Sequence, residues 1–260
     1  MHKDCKVYKN FLDINISLTN LSVTIPDQQS TKIRHYWNKN IVSYPSLFNG
    51  LVFSVNTFNL SSTEICIELA KSNYAHYSYM LNHREDCEVL CKMIAVGGLI
   101  LTSDDLFALG KMSKNTSFPN IIQCIGGGIS KEDFVNNRLN TATTLMREFE
   151  EEVGFALTAD WIQKSSNYVI IRGEMELFGI CHLVKLPLSS TELSTRFLNY
   201  KKSSLYDGEL EDLIFVGNSQ KAIERFVDQP LELVDYLRQV LLDVTKISPL
   251  SQISAPNAHL

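Results

Sequence analysis

The stretch REFEEEVGF, residues 147–155, organises this chain of 260 residues, and it follows a glycine triplet at residues 126–128. Side chains three and four positions apart lie on one face of a helix, so Glu148, Glu151 and Glu152 are predicted to share an anionic face. Like charges at these spacings cost roughly 0.2–0.5 kcal/mol per pair, so a cation should offset their repulsion. We therefore expect this face, Glu152 included, to meet solvent and a hard divalent ion such as Mg²⁺.

The same helix carries an apolar stripe. Leu145, Phe149 and Val153 are spaced four apart, which predicts packing on a core. Arg147, four residues before the second of the three carboxylates, can balance one negative charge. Gly154 is predicted to end the helix, because glycine adopts the left-handed C-terminal conformation without a Cβ penalty.

This stretch resembles the second half of the Nudix box, R-E-U-x-E-E-x-G-U with U apolar, at every specified position. The resemblance implies an α/β (α+β) Nudix fold, a mixed sheet sandwiched between helices (α/β/α), with an additional N-terminal β-rich region. It implies a pyrophosphohydrolase that cleaves a nucleoside diphosphate linked to another group, with Mg²⁺ or Mn²⁺ as cofactor. Glu148, Glu151 and Glu152 would bind the metal, Arg147 would hold a carboxylate in place, and the backbone carbonyl of Gly127 would complete the coordination.

The first half of the box departs from the family pattern. Arg147 lies 20 positions after Gly127 (147 − 127 = 20), about six more than in the family, so about six residues are inserted. Leu139 occupies the position at which the family has an upstream glutamate. Glu132 or Asp133 would serve instead if the inserted residues bulge between the loop and the helix.

Members of the family often add a carboxylate from another loop to the metal site. The residues of this chain that could supply it are Glu132, Glu174, Glu176, Glu209 and Glu211. The sequence does not choose among them.

The segment PSLFNGLVF, which contains Phe48, Asn49 and Phe53, loosely resembles the N-terminal region of the Nudix proteins that cleave UDP-glucose and UDP-galactose. This resemblance implies a nucleoside diphosphate sugar such as UDP-glucose as substrate. It places these three residues in a uracil or ribose pocket, with Gly126 and Gly128 beside the substrate; a turn between packed elements is the structural alternative. Two other functions stay open: ADP-ribose pyrophosphatase, and an inactive Nudix fold that senses a nucleotide or binds a protein.

Hydrophobic periodicity and turn signals predict the remaining elements. Strands are predicted at residues 14–25, 51–58, 63–70, 93–101, 106–111, 121–125, 168–171, 175–186 and 213–216, and helices at 31–40, 73–84, 191–201 and 231–246. The second and third strands are predicted to form an antiparallel hairpin, as are the fourth and fifth. Residues 1–90 are predicted to pack on a catalytic domain at 91–247, and residues 248–260 to form a flexible tail.

Composition and charge limit the kinds of partner that the protein is expected to bind and the cellular compartment in which it is expected. A formal net charge of −5 and a pI near 5.7 disfavour a general grip on nucleic acid, so an RNA-processing role ranks last. The longest apolar run, residues 94–101, is too short to span a bilayer, and the polar first residues do not form a secretory leader. Six dispersed cysteines are typical of a reduced, cytoplasmic setting. We expect a nucleotide substrate as partner, with no membrane partner and with homodimerisation left open.

Overall fold

The computed structural model describes residues 5–9, 13–43, 48–116, 118–172 and 177–244. Its strands are β1 (Cys5–Lys9), β2 (Asp13–Ser22), β3 (Leu51–Leu60), β4 (Glu64–Asn73), β5 (Ile94–Leu101), β6 (Leu106–Met112), β7 (Ile122–Gln123), β8 (Ile125–Gly128), β9 (Phe134–Val135), β10 (Arg138–Leu139), β11 (Ile162–Arg172), β12 (Leu177–Lys185) and β13 (Leu210–Gly217). Its α-helices are α1 (Asp27–Ser43), α2 (Tyr74–Asn82), α3 (Thr141–Val153), α4 (Ser190–Tyr200), α5 (Gln220–Val227) and α6 (Leu237–Val244). Glu174, Glu176 and the predicted tail lie outside the described residues.

The larger sheet forms the centre of the fold, with strands in the order β1-β11-β12-β5-β6-β13. β7 and β8 join it by pairing with β6 and β5. β12 and β5 run parallel, with Phe178 beside Ile94 at one end and Lys185 beside Leu101 at the other, whereas the remaining pairs are antiparallel. The prediction of a mixed sheet is therefore confirmed, as is the predicted antiparallel pairing of β5 with β6.

Helices cover both faces of this sheet. On one face, α3 and α4 contribute Phe149 and Phe197 to a core that also contains sheet residues. On the other, α5 and α6 contribute Ile223 and Leu241 to a second core. Successive residues of a strand point to opposite faces, so the largely apolar β5 and β12 can supply both cores. The predicted α/β/α arrangement is confirmed.

A second sheet, in the order β3-β4-β2-β10-β9, is built mainly by the N-terminal part of the chain. β3 and β4 form the predicted antiparallel hairpin, with Leu51 beside Asn73. Phe53 and Ile67 of this sheet belong to the same core as Phe149 of α3, so the second sheet packs on the α3 side of the larger one. α1 and α2 form a further small core of their own.

The inserted residues of the box form a β-hairpin rather than an irregular bulge. β9 and β10 pair antiparallel, and the turn residues Asn136 and Asn137 have φ values of 50° and 60°. Two consecutive residues with positive φ form a tight turn whose twist suits a hairpin, and asparagine tolerates this conformation. Arg138 pairs with Ser17 of β2, and the Leu18 N–H donates to the Asn137 carbonyl at 2.8 Å. The insertion therefore extends the N-terminal sheet.

Several predicted boundaries are wrong, and three elements were missed. The C-terminal helix begins at Leu237, not Leu231, because residues 231–236 run beside Ile122 and form a bridge there. β1, α5 and the inserted hairpin were not predicted. In the described part of the chain, no helix is both long enough and apolar enough to cross a membrane. All six cysteines are free.

Candidate active site

The helix α3 is fixed at both ends by the residue types that its sequence provides. The Asn140 side chain accepts hydrogen bonds from the N–H groups of Ala142 and Thr143, which satisfies donors of the first turn. Gly154 adopts φ 80° and donates to the Glu150 carbonyl at 2.9 Å, so the predicted helix stop is confirmed. The predicted apolar stripe of Leu145, Phe149 and Val153 is fully buried. The carboxylate-bearing turns therefore stand on a rigid support.

The glycine triplet faces this helix. Gly126–Gly128 form a strand rather than a turn, because they belong to β8 and pair antiparallel with β5. A Cβ atom at Gly127 would lie 2.3 Å from Oε2 of Glu148, and one at Gly126 would lie 2.3 Å from the Val96 carbonyl oxygen. Glycine is required here because the backbone approaches a carboxylate on one side and a neighbouring strand on the other.

Glu148 and Glu152 lie against this strand and are buried, with 9% and 1% of their surfaces exposed. The expectation that Glu152 faces solvent is therefore wrong: its Oε2 accepts a hydrogen bond from the Gly126 N–H at 2.8 Å. Burial raises the pKa of Glu148 to about 7, against an opposing effect of Arg147. Burial, followed by the charge of Glu209, raises the pKa of Glu152 well above its usual range. Glu148 has Arg147 as a nearby positive charge, and a bound cation would lower the pKa values of both carboxylates further.

Arg147 is the cation at this site, and it contacts four oxygen-bearing groups. Its Nη1 lies 2.7 Å from Oε1 of Glu148 and 2.9 Å from Oε2 of Glu151. Its Nη2 donates to the Gly128 carbonyl at 2.9 Å and to Oδ2 of Asp133 at 3.0 Å. The guanidinium thus ties the glycine strand, the carboxylate helix and the start of the inserted hairpin together.

Asp133 is a buried carboxylate that contacts Arg147. Its two carboxylate oxygens receive Nε and Nη2 of Arg147, a two-point contact, and Oδ2 also accepts from the Ser130 N–H at 2.8 Å. Only 2% of its surface is exposed. Glu132, the other residue that the sequence left open, is exposed, and the pKa of its carboxyl is lowered by its own backbone N–H and by Ser130.

Among the later carboxylates, Glu209 is the one that the fold brings to the cluster. It lies just before β13, close enough to raise the pKa values of both Glu148 and Glu152. Its own pKa is raised, first by desolvation of the carboxylate and then by Asp207 and Glu151. Glu211 instead forms a salt bridge with Lys111 at 2.8 Å, which accounts for its lowered pKa.

Glu151 lies at the exposed edge of the cluster. Its side chain is 54% exposed and is held by Arg147, while Glu148 and Glu152 face the glycine strand. The three box glutamates therefore divide into two buried carboxylates and one exposed one. The expectation that this face meets solvent therefore holds for Glu151 and is wrong for Glu148 and Glu152.

A cavity of about 230 Å³ opens beside this cluster. The glycine triplet and Glu209 line one part of it, and Tyr74, Tyr77, Arg172 and Tyr236 line another. The sequence analysis did not single out these four residues as site residues. The available signal was Arg172, a charged residue directly after the buried strand predicted at 168–171.

The N-terminal residues predicted to bind the nucleotide do not line this cavity. Phe53 is 1% exposed and packs on the ring of Phe134, with centroids 5.0 Å apart. Asn49 accepts a hydrogen bond from the Ala75 N–H at 2.8 Å and so stabilises the start of α2. Phe48 is 81% exposed. The placement of these residues in a uracil or ribose pocket is therefore wrong, and the structural alternative accounts for them.

The donor chemistry of the cluster fits a hard divalent cation, because carboxylate and carbonyl oxygens are the ligands that Mg²⁺ and Mn²⁺ prefer. The Glu148 carboxylate lies so close to Gly127 that any Cβ there would collide with it. Among the described residues, however, no three Asp, Glu, His or Cys side chains already stand close enough to hold one metal ion. Metal binding at this cluster would therefore require its side chains to move closer together.

Comparison with known proteins gives matches at the level of structure. No family model matches the sequence, and no curated protein matches it significantly. The MutT protein from Methanosarcina mazei Go1 aligns with a TM-score of 0.39 and 16% identity, over 59% of this chain and 92% of that one. A NUDIX hydrolase from Nitrosomonas europaea aligns with a TM-score of 0.39 and 11% identity, over 64% and 98%. The NUDIX domain of Shewanella oneidensis NrtR, solved with ADP ribose, aligns with a TM-score of 0.38 and 12% identity, over 66% and 97%. The last two are named as NUDIX proteins, the family whose motif residues 147–155 resemble.

Proposed function

We propose that this chain is a Mg²⁺-dependent Nudix pyrophosphohydrolase that cleaves a nucleoside diphosphate linked to another group. The observation that carries the proposal is the cluster of Glu148, Glu152 and Glu209 beside the glycine strand and an open cavity. Three mutually repelling carboxylates, two of them buried, are unfavourable unless a cation binds them. A cluster of carboxylates that lowers stability in the absence of a cation is typical of sites for metal-assisted phosphoryl chemistry.

Each residue of the cluster has a role in this proposal. Glu148, Glu152 and Glu209 would hold the divalent ion, with Glu151 at the solvent edge and the Gly127 carbonyl nearby. When bound, Mg²⁺ or Mn²⁺ neutralises diphosphate charge and lowers the pKa of a coordinated water. Arg147 holds Glu148 and Glu151, the Gly126 N–H orients Glu152, and one carboxylate accepts the proton of the attacking water.

For the substrate we propose a nucleoside diphosphate sugar such as UDP-glucose, with ADP-ribose as the alternative. The cavity continues from the glycine strand to aromatic side chains, so it offers a polar end for a diphosphate and an apolar end for a ring. The free state of all six cysteines supports a reduced, cytoplasmic setting for such an enzyme.

A second candidate function is nucleotide binding without hydrolysis. The observation that favours it is the contact of 2.7 Å between Arg147 and Glu148, which occupies a predicted metal ligand. In this case the guanidinium would act as the permanent counter-charge. The two candidates differ in whether a divalent ion displaces that contact.

The test measures hydrolysis of UDP-glucose, ADP-ribose, dinucleoside polyphosphates and nucleoside triphosphates with Mg²⁺, with Mn²⁺ and with neither. Glu152→Gln is the informative variant, because its amide oxygen can keep the hydrogen bond from Gly126 while its charge is removed. We expect it to reduce kcat by at least about 100-fold. Glu211→Gln is the matched control, since Glu211 pairs with Lys111, and its activity should equal that of the wild type.

Turnover of one substrate class that requires metal and is lost in Glu152→Gln would support the hydrolase. Nucleotide binding that persists without metal and without turnover of any substrate would favour the second candidate. Full activity in Glu152→Gln would show that the cluster is not the active site.

A further inference from the structure

We infer that Arg172 is the centre of a nucleobase subsite that prefers bases with carbonyl acceptors, uracil and guanine, over adenine and cytosine. The inference deepens the proposed function and depends on it for the position of the diphosphate. It rests on four features: the position of Arg172 in the cavity, its fixed geometry, its unused donors and the aromatic surfaces around it.

Strand register gives the distance between this subsite and the glycine strand. β11, β12, β5 and β8 are successive neighbours in the sheet. Arg172 lies beside Leu177 on β12, and Gly128 lies beside Ala95 on β5. Ala95 is level with Gly179 on β12, two residues beyond Leu177, so three inter-strand spacings of about 4.8 Å and an offset of about 6.6 Å along the strands separate the two backbones by about 16 Å. The cavity thus has two separate ends, with the glycine strand and Glu209 at one and Arg172 at the other.

The guanidinium of Arg172 is held rigidly. Its Nε donates to Oδ1 of Asp235 at 2.6 Å, and its central carbon lies 5.6 Å from the centre of the Tyr236 ring. These two contacts fix both the direction and the plane of the group. A rigid donor discriminates between ligands because a wrong partner cannot be accommodated by rotation.

The terminal nitrogens of Arg172 are left for a ligand. In the part of the chain that the structure describes, Asp235 is the only acceptor recorded for this guanidinium. A guanidinium carries five N–H donors and no acceptor, so the cavity end presents donors alone. Because Arg172 and Asp235 together are neutral, a phosphate placed here would gain less than at an isolated arginine. A neutral group with carbonyl oxygens is the better match.

Aromatic side chains provide surfaces for a flat ring. Tyr74 and Tyr77 line the same cavity, with ring centroids 6.0 Å apart and planes tilted by 56°. Tyr74 also packs edge-on against Trp37, with centroids 6.1 Å apart, which limits its movement. Stacking on aromatic faces is tolerant of base identity, so these rings would bind any base. Discrimination then falls to the donors of Arg172.

The pattern of donors and acceptors on the bases sets the preference. The contrast lies at one position of the ring: guanine O6 and uracil O4 are acceptors, and guanine adds N7 beside O6, whereas adenine and cytosine carry an amino donor at the equivalent position, which would oppose the arginine. At about 230 Å³ the cavity is smaller than pockets that enclose a whole drug-sized ligand, about 300–1,000 Å³. It therefore encloses a base, and the diphosphate extends towards Gly126–Gly128 and Glu209.

The experiment measures binding of UDP, GDP, ADP and CDP to the full chain by calorimetry, with divalent ions chelated. We expect UDP and GDP to bind at least about tenfold more tightly than ADP and CDP. Arg172→Gln should reduce that ratio to near one. Arg172→Lys, which keeps the charge beside Asp235, should also lose the preference because it lacks the planar fork. Arg238→Gln is the matched control, since Arg238 pairs with Asp228 at 2.9 Å outside the cavity, and it should keep the wild-type ratio.

Equal affinities for the four nucleotides in the wild type, a preference for ADP, or no binding of any at concentrations on the order of 1 mM would overturn the inference. So would an unchanged preference in a folded Arg172 variant. Hydrolysis distinguishes this failure from that of the proposed function. Metal-dependent turnover without base preference would refute only the proposed nucleobase subsite. Selective nucleotide binding without turnover would refute only the proposed hydrolase activity.

Discussion

Replacing Asp133 by asparagine tests the most buried ionic contact of the site. The substitution removes one negative charge and keeps the shape of the side chain and an oxygen that can accept from the Ser130 N–H. Arg147 then loses its two-point carboxylate partner, in which Nε and Nη2 lie 3.2 Å and 3.0 Å from the two oxygens. Asp133 is almost fully buried, so solvent cannot replace the lost contact at that end.

The magnitude follows from burial and from the partners that remain. Removing one partner of a fully buried ion pair costs about 3–5 kcal/mol. The Arg147 side chain is 27% exposed and keeps Glu148 and Glu151, so we expect about 2 kcal/mol. For a chain of this size that corresponds to a decrease in Tm of about 4–8 °C. We also expect kcat to fall by about tenfold, because Arg147 would shift towards the two glutamates and change the position of Glu148.

The assay is thermal unfolding by circular dichroism, combined with steady-state kinetics. Asp133→Glu restores the charge and should recover part of both losses, whereas an effect of packing alone would make it the worse variant. Asp228→Asn is the matched control, because Asp228 pairs with Arg238 on the surface and should contribute less than about 1 kcal/mol. A Tm of Asp133→Asn equal to that of the wild type would refute the claim that this contact holds Arg147.

Three further predictions follow from single residues. Burial lowers the pKa of His182 from 6.5 to about 4, so its contribution to stability is complete above pH 6.5 and is lost as the pH falls towards 4. The raised pKa values of Glu148 and Glu152 act in the opposite direction, so the quantity to measure by urea unfolding is the difference in unfolding free energy between the wild type and His182→Gln. That difference should fall by about 2 kcal/mol between pH 7 and pH 5. Gly127→Ala should displace the Glu148 carboxylate and abolish activity with a small change in Tm, whereas Gly128→Ala, with no atom within 4 Å of its new Cβ, should remain active. Gly154→Ala combines positive φ with a Cβ 2.1 Å from an atom of the tyrosine ring packed on it, and should lower stability by more than about 1 kcal/mol in denaturant unfolding.

Predictions from the sequence were most accurate where the spacing of apolar residues alone determined a secondary-structure element. Leu145, Phe149 and Val153 recur every four residues, and all three are fully buried on α3. Gly154 ends that helix because the chain needs positive φ there. Such features depend on local geometry alone, and local geometry can be derived from a short window of sequence.

The predictions failed where long-range contacts determined the outcome. Spacing places Glu148, Glu151 and Glu152 near one another but does not show which of them β8 covers, so their burial differs. Phe53 was predicted to contact a ligand because its packing partner, Phe134, lies 81 residues away along the chain (134 − 53 = 81) and could not be identified from a local pattern. Arg172 was overlooked because its partner, Asp235, lies on a distant segment.

The inserted hairpin leaves the residues on either side of it, Asp133 and Asn140, close together. The Asn140 N–H donates to the Asp133 carbonyl at 3.1 Å, so the chain leaves and re-enters the box at nearly the same point. An insertion whose ends meet does not force the flanking elements apart. Asp133 can therefore hold Arg147 as if the six extra residues were absent, and Asn140 can cap the carboxylate helix. Within the insertion, β10 pairs with β2. The N-terminal sheet is thereby joined through backbone hydrogen bonds to the two residues that fix the start of α3 and its arginine, so a perturbation of that sheet should reach the carboxylates.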